Sequence, residues 1–172
     1  MNNVLRNKKT LITYNNKIIN KLIRLSDKST IARSRVCIHL NNKSKTNEMI
    51  IALKKGSYIR PHIHPNGKSE SYHVIKGKML VNIFNSRGKL IKKVKMGDYK
   101  SNFNFYYRMS KGFYHMPVAM TKYCVYHEIF SGPFLKKKDV IFPKWAPDFK
   151  DKKKYKKFLK KNKLIKYFYE KI

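Results

Sequence analysis

The sequence predicts a mainly β protein: a β-barrel or jelly roll with a short helix before it and a lysine-rich helix after it. Three observations lead there. Between Val36 and Phe130, apolar and aromatic residues recur in short alternating runs, the period of half-buried strands. Gly, Pro, Asn and Asp punctuate those runs at short intervals. No helical segment separates them, so a barrel or jelly roll is favoured over a parallel sheet.

The opening helix is expected at residues 17–25, where Ile18, Ile19, Leu22 and Ile23 share one face and Asn15 or Asn16 supplies an N-cap. Strands are expected at Met49–Leu53, Ser71–Ile75, Lys78–Phe84, Leu90–Val94, Phe103–Met109 and Tyr123–Phe130. Asn85-Ser86-Arg87-Gly88, Met96-Gly97-Asp98 and Ser110-Lys111-Gly112 read as hairpin connections, because their residues tolerate positive φ or bond their own backbone. After Gly132-Pro133 the alternation stops. Phe142-Pro143-Lys144-Trp145-Ala146-Pro147 reads as an extended segment lying against the barrel, with Trp145 as its anchor. From Lys150 onward Tyr155, Phe158, Leu159, Ile165 and Tyr169 fall near one helical face, and the lysines solvate the other. The expected divisions are a helix and arm over residues 1–35, the barrel over 36–133 and an extension over 134–172, packed as one domain.

The formal net charge is +32 in 172 residues. Its lysines are spread along the whole chain rather than clustered, which argues against specific nucleic-acid binding. Neither a signal-peptide run nor a membrane-length apolar stretch occurs, so a cytoplasmic protein without a membrane span is expected. Cys37 and Cys124 lack the spacing of a zinc knuckle or redox pair and are expected as reduced, buried thiols.

The chemistry concentrates in Gly56-Ser-Tyr-Ile-Arg-Pro-His62-Ile-His64, followed by Glu70 and Gly77. In an extended strand His62 and His64 point the same way and Ile63 the other. Pro65-Asn66-Gly67 breaks that strand, and Glu70 opens the next, within reach of the two imidazoles. A glycine-containing turn then feeds a short strand that presents His115. Three neutral imidazoles and a carboxylate suit one divalent ion of Fe, Mn, Ni, Co or Zn, with coordination positions left open. By the same alternation His73 faces away from Glu70 and is structural.

These residues resemble the cupin superfamily, whose first motif is Gly, five residues, His-x-His, three or four residues, Glu, six residues and Gly. Gly56, His62, His64, Glu70 and Gly77 match it, with one residue too many between His64 and Glu70. The second motif, Pro-x-Gly-x-x-His with an Asn four residues on, stands here as Ser110-x-Gly112-x-x-His115 with Ala119. A closer resemblance is to the WbuC-type cupin-fold metalloproteins of bacterial surface-polysaccharide clusters. It rests on Ala32-Arg33-Ser34-Arg35, Ile51-Ala52-Leu53, Glu70-Ser-Tyr-His73-Val-Ile-Lys-Gly77, Glu128-Ile-Phe-Ser-Gly-Pro133 and Phe142-Pro-Lys-Trp145-Ala-Pro147. The resemblance implies a cupin jelly-roll barrel with a metal on His62, His64, Glu70 and His115. It also implies a role in O-antigen or nucleotide-sugar metabolism, with a sugar or nucleotide-sugar as ligand.

Arg33, Arg35 and Arg60 stand out from the lysine background as candidate substrate-binding cations, since guanidinium grips phosphate or carboxylate at two points. Tyr58, Tyr72 and Glu128 are the candidate catalytic groups. Alternation does not say whether Glu128 or its neighbour His127 faces inward. The favoured expectation is metal-assisted isomerisation or proton transfer on a sugar. Its rivals are an Fe(II)-dependent oxygenase and a non-catalytic carbohydrate-binding or regulatory module, and a homodimer is compatible with each.

Overall fold

In the computed structural model, which describes residues 3–64, 67–110 and 112–169, nine strands form two sheets. They are β1 (Val4–Arg6), β2 (Arg33–Cys37), β3 (Thr46–Lys54), β4 (Glu70–Lys76), β5 (Lys78–Phe84), β6 (Leu90–Gly97), β7 (Tyr106–Met109), β8 (Tyr114–Ala119) and β9 (Tyr123–Ser131). One sheet runs β1-β2-β3-β9-β4-β7 and the other β6-β5-β8. All neighbours are antiparallel except β1 and β2. The protein is thus mainly β, with two facing sheets rather than one continuous ring of strands.

Strand alternation sorts the side chains into three apolar layers. Ile51, Leu53, Tyr72, Val74, Cys124 and Tyr126 of the large sheet meet Met79, Val81, Ile83, Met96 and Ala119 of the small one, and this is the central core. The outer face of the large sheet presents Val36, Ile50, Ala52 and Val125 to the helix α1 (Asn16–Lys28). The outer face of the small sheet presents Leu80, Phe84, Met116 and Val118 to the helix α3 (Lys152–Lys161).

α1 begins where expected: the Asn15 side chain accepts a hydrogen bond from the Lys17 N–H, and Leu22 is fully buried. Truncating Leu22 to Ala would cost about 3 kcal/mol. In α3, Tyr155, Phe158 and Leu159 are buried, but the helix stops at Lys161 and a 3-10 turn follows at Ile165–Tyr167. Trp145 packs against Phe84, Tyr114 and Phe158, and its Nε1 donates to the Ser86 carbonyl, so it does anchor the extended segment. Both cysteines are buried free thiols. Among the described residues no helix is long and apolar enough to cross a membrane.

Several expectations are corrected. β1 and β2 precede the first expected strand, and β7 starts at Tyr106 rather than Phe103. β1 is only three residues long, too short for alternation to register. Met96-Gly97-Asp98 and the Ser110–Gly112 segment are not hairpins. β6 and β7 lie in different sheets, as do β7 and β8, so both segments carry the chain between layers. Lys111 itself lies outside the described residues, as do Pro65 and Asn66 of the expected strand break. Gly77 makes another such crossing. Its φ is +82°, and a Cβ there would stand 2.3 Å from the Tyr123 carbonyl oxygen.

Candidate metal centre

His62 and His64 do not belong to a regular strand. They lie in an extended segment held from both sides. His62 and His115 exchange backbone hydrogen bonds at 3.2 and 2.8 Å, and Ile63 and Ile141 exchange another pair at 3.0 and 3.1 Å. β8 therefore lies directly against the histidine pair, which requires a close approach at Gly112: a Cβ there would be 2.4 Å from the His64 carbonyl oxygen. This gives the surviving glycine of the second motif a physical role.

His115 faces the space between the sheets because it pairs with Ile83, a residue of the central core. Glu70 opens β4 and shares the inward face with Tyr72. The result is a buried convergence. One ring nitrogen each from His62, His64 and His115 lie within 4.8 Å of one another, a group that could hold a metal ion. Glu70 Oε1 is 3.3 Å from His64 Nε2, and Glu70 Oε2 is 3.1 Å from His115 Nε2. The residue inserted between His64 and Glu70 has not displaced the carboxylate from the imidazoles.

The other ring nitrogens settle how these imidazoles are used. His62 Nδ1 meets the Arg60 carbonyl at 3.0 Å, His64 Nδ1 the Asp139 carbonyl at 2.5 Å, and His115 Nδ1 the Phe113 carbonyl at 3.0 Å. A carbonyl only accepts, so each Nδ1 carries the proton and each Nε2 keeps a lone pair. Glu70 Oε2 and His115 Nε2 are buried, close and yet, among the described residues, without a hydrogen bond. Two lone-pair donors facing each other in a dry interior are unfavourable without a cation between them, so the donor set fits a divalent metal.

Charge in the cluster follows the same logic. Burial opposes ionisation of Glu70, but the imidazoles of His115 and His64 outweigh it and hold the carboxyl well below its usual range. Burial, reinforced by His115 and His64, pushes His62 well below its ordinary value and keeps it neutral. Burial also disfavours the charged form of His64, yet the adjacent Glu70 carboxylate outweighs it and raises the pKa, so that in the metal-free protein a proton on Nε2 takes the place a cation would fill. Tyr72 donates from its hydroxyl to Glu70 Oε1 at 2.9 Å, and burial beside Glu70 keeps its phenol protonated.

The remaining candidates separate. Glu128, not His127, faces inward: it pairs with Tyr72 on one side and Met49 on the other. It is half-buried, and among the described residues its carboxyl has no hydrogen-bond or ion-pair partner. Burial first, then the charge of Glu70, pushes it up to about 8. Arg35 shares this inner face through its pairing with Ile51 and remains exposed. Tyr58 is elsewhere. It packs with Tyr155 and Phe168 beyond the small sheet, and its hydroxyl donates to the Pro147 carbonyl. Arg33 braces the chain before the histidines, donating to the Tyr58 carbonyl at 2.8 Å. Arg60 donates to the Ala146 carbonyl, lies over the Phe142 ring and stands 3.8 Å from Asp148. Both guanidinium groups thus hold backbone together. His73 turns outward onto Tyr99 and Phe105, away from Glu70.

Sequence reasoning missed Asp139. It lies in a one-turn helix, α2 (Lys136–Asp139), where Lys68 and the Leu135 N–H hold its carboxylate at 2.7 and 2.6 Å. That grip positions the carbonyl that receives His64 Nδ1–H. The two residues are 75 positions apart, and nothing local to Asp139 signals the contact.

A sequence profile of a family described as a domain of unknown function (DUF6016) matches residues 14–96, just under half of the chain. No curated protein sequence matches it. Among solved structures the chain is similar to an HTH_3-family transcriptional regulator from Vibrio cholerae, at 17% identity over 59% of this chain and 52% of that one, with a TM-score of 0.45. It is also similar to oxalate oxidase in complex with the substrate analogue glycolate, at 19% identity over 66% and 56% of the two chains, TM-score 0.49. A variant oxalate decarboxylase from B. subtilis matches at 16% identity over 64% and 27%, TM-score 0.47. The chain spans about half the length of the first two.

Proposed function

We propose that the protein is a cupin in which His62, His64, Glu70 and His115 hold one divalent metal ion between the two sheets, and that it acts on a sugar or nucleotide-sugar of bacterial surface-polysaccharide metabolism. One observation carries the metal reading: three imidazoles, each with Nδ1–H fixed on a backbone carbonyl, turn their Nε2 lone pairs toward one another beside a buried carboxylate. The polysaccharide role rests on the resemblance carried by segments such as Glu70–Gly77 and Glu128–Pro133.

The ion would supply Lewis acidity to an oxygen of the ligand. The chain's own residues supply the rest. Tyr72 fixes the orientation of Glu70 and, with its hydroxyl hydrogen engaged in the bond to that carboxylate, is not free to donate it to a ligand. Glu128 has an unpartnered carboxyl on the same inner face, with a proton affinity near neutrality, and serves as the group that accepts or returns a proton during isomerisation. Arg35 offers an uncommitted guanidinium to an anionic part of the ligand.

The test has two steps. Protein purified without added metal is assayed for bound ions; about one equivalent in the parent and none in His62→Ala is expected. Metal-loaded protein is then incubated with a panel of nucleotide-sugars in deuterium oxide. Deuterium incorporation that disappears in Glu128→Gln supports proton transfer. Stoichiometric metal without any incorporation leaves the centre as a binding site and removes the catalytic reading.

A further inference from the structure

Lysines cover this protein, but at one place they line a concavity. The hairpin turn after β5, the start of β6 and the end of α3 border an open cleft of about 490 Å³, lined by Arg87, Gly88, Lys89, Leu90, Lys93, Lys161, Asn162 and Lys163. That volume is within the range of small-molecule sites. Five of the lining residues are cations and none is acidic. None of the five takes part in an ion pair among the described residues. The cleft shares no residue with the histidine cluster.

The walls are built features. Gly88 sits at a φ of +76° with Trp145 so close that a Cβ would fall 2.6 Å from the indole, which fixes the turn that carries Arg87 and Lys89. The Lys93 ammonium reaches the Asn162 carbonyl at 3.4 Å, and Asn162 is itself buried and donates to the Phe158 carbonyl. Burial, then the charges of Lys166 and Lys163, lower the Lys93 pKa, which shows how closely like charges are crowded here. The C-terminal end of α3 presents about half a negative charge to the cleft, which five full positive charges outweigh.

We propose that this cleft binds a compact phosphate-rich anion of two or three linked phosphoryl groups, free in solution. A single carboxylate would leave most of the cations unneutralised. Several phosphoryl groups present many acceptor oxygens to one guanidinium fork and four ammonium point charges.

Tripolyphosphate is the probe. Titration into the full-length protein at physiological ionic strength, read by calorimetry and by amide NMR shifts, should give saturable binding with shifts concentrated at residues 87–93 and 161–163. The triple variant Lys89→Gln/Lys93→Gln/Lys161→Gln should weaken binding by about tenfold or more, whereas Lys9→Gln/Lys21→Gln/Lys43→Gln, which removes equal charge elsewhere, should change it by less than about twofold. Circular dichroism of both variants checks that the fold is kept. Equal losses in the two variants would overturn the proposal, because the attraction would then be the diffuse field of the whole chain. So would an absence of binding, or capture by phosphatidylserine vesicles that depends on the cleft while tripolyphosphate does not bind.

Discussion

Histidines gather on both sides of the large sheet, and the contrast between the two groups is instructive. On the inner side, His64 and the neighbouring His62 and His115 each have Nδ1 tied to a backbone carbonyl, and their free nitrogens gather around Glu70. On the outer side His73 and His127 face each other directly across β4 and β9, with Glu48 3.8 Å from His127 Nε2. Both outer Nε2 atoms are buried and, among the described residues, without a hydrogen bond. Yet among the described residues no carbonyl fixes either ring, and His73 is instead wedged against Tyr99 and Phe105. Proximity of histidines and a carboxylate is common to both faces. What distinguishes the inner cluster is that its surroundings dictate the tautomer and direction of each ring.

The strongest way to break this comparison is to remove an inner imidazole. His64→Ala should lower metal affinity by more than about 100-fold, since loss of an outer partner alone costs about 10- to 100-fold. Metal analysis after dialysis against a weak chelator reads this directly, and full occupancy would move the site elsewhere. Glu70→Gln comes next, with an expected loss of about 10- to 100-fold by the same assay. The amide keeps an acceptor for Tyr72 but loses the charge that faces two imidazoles.

Glu128→Gln sharpens the contrast through pH. The folded protein raises this carboxyl from its ordinary value near 4.5 to about 8. The fold therefore favours the protonated form; the associated stability is complete below about pH 4.5 and is lost as pH rises through about 8. In chelator-treated protein the variant should melt with the parent at low pH and above it at alkaline pH, by about 2–4 °C for each kcal/mol of relieved strain. Coincident melting curves across that range would mean the carboxyl is solvated. The smallest effect is expected outside: His73→Ala should leave metal content unchanged and alter stability by no more than about 1 kcal/mol, because a buried nitrogen without a partner contributes little when present. Loss of metal in this variant alone would reverse the assignment of faces.

Much of this was legible locally. The period of two placed His62 with His64, set His73 opposite Glu70 and located β5 to the residue, because alternation is a property of the backbone itself. The Asn15 cap and the apolar stripe of α1 were readable for the same reason. Tyr58 and Arg60 misled: each lies on a plausible strand position, but the chain from Gly56 to Pro61 is not a strand, and both side chains are recruited by the C-terminal extension.

The sequence by itself determined the mainly β character, the residues able to ligate a metal and the pairing of two histidines on one side. Tertiary structure alone decided that Glu128 rather than His127 turns inward, that Arg35 and not Arg33 or Arg60 stays uncommitted among the described residues, and that the Asp139 carbonyl orients His64 across 75 residues. The reason is physical. Periodicity acts between adjacent residues and is written in their order, whereas register between strands and long-range hydrogen bonds depend on which distant segments meet, and that is fixed only when the whole chain packs.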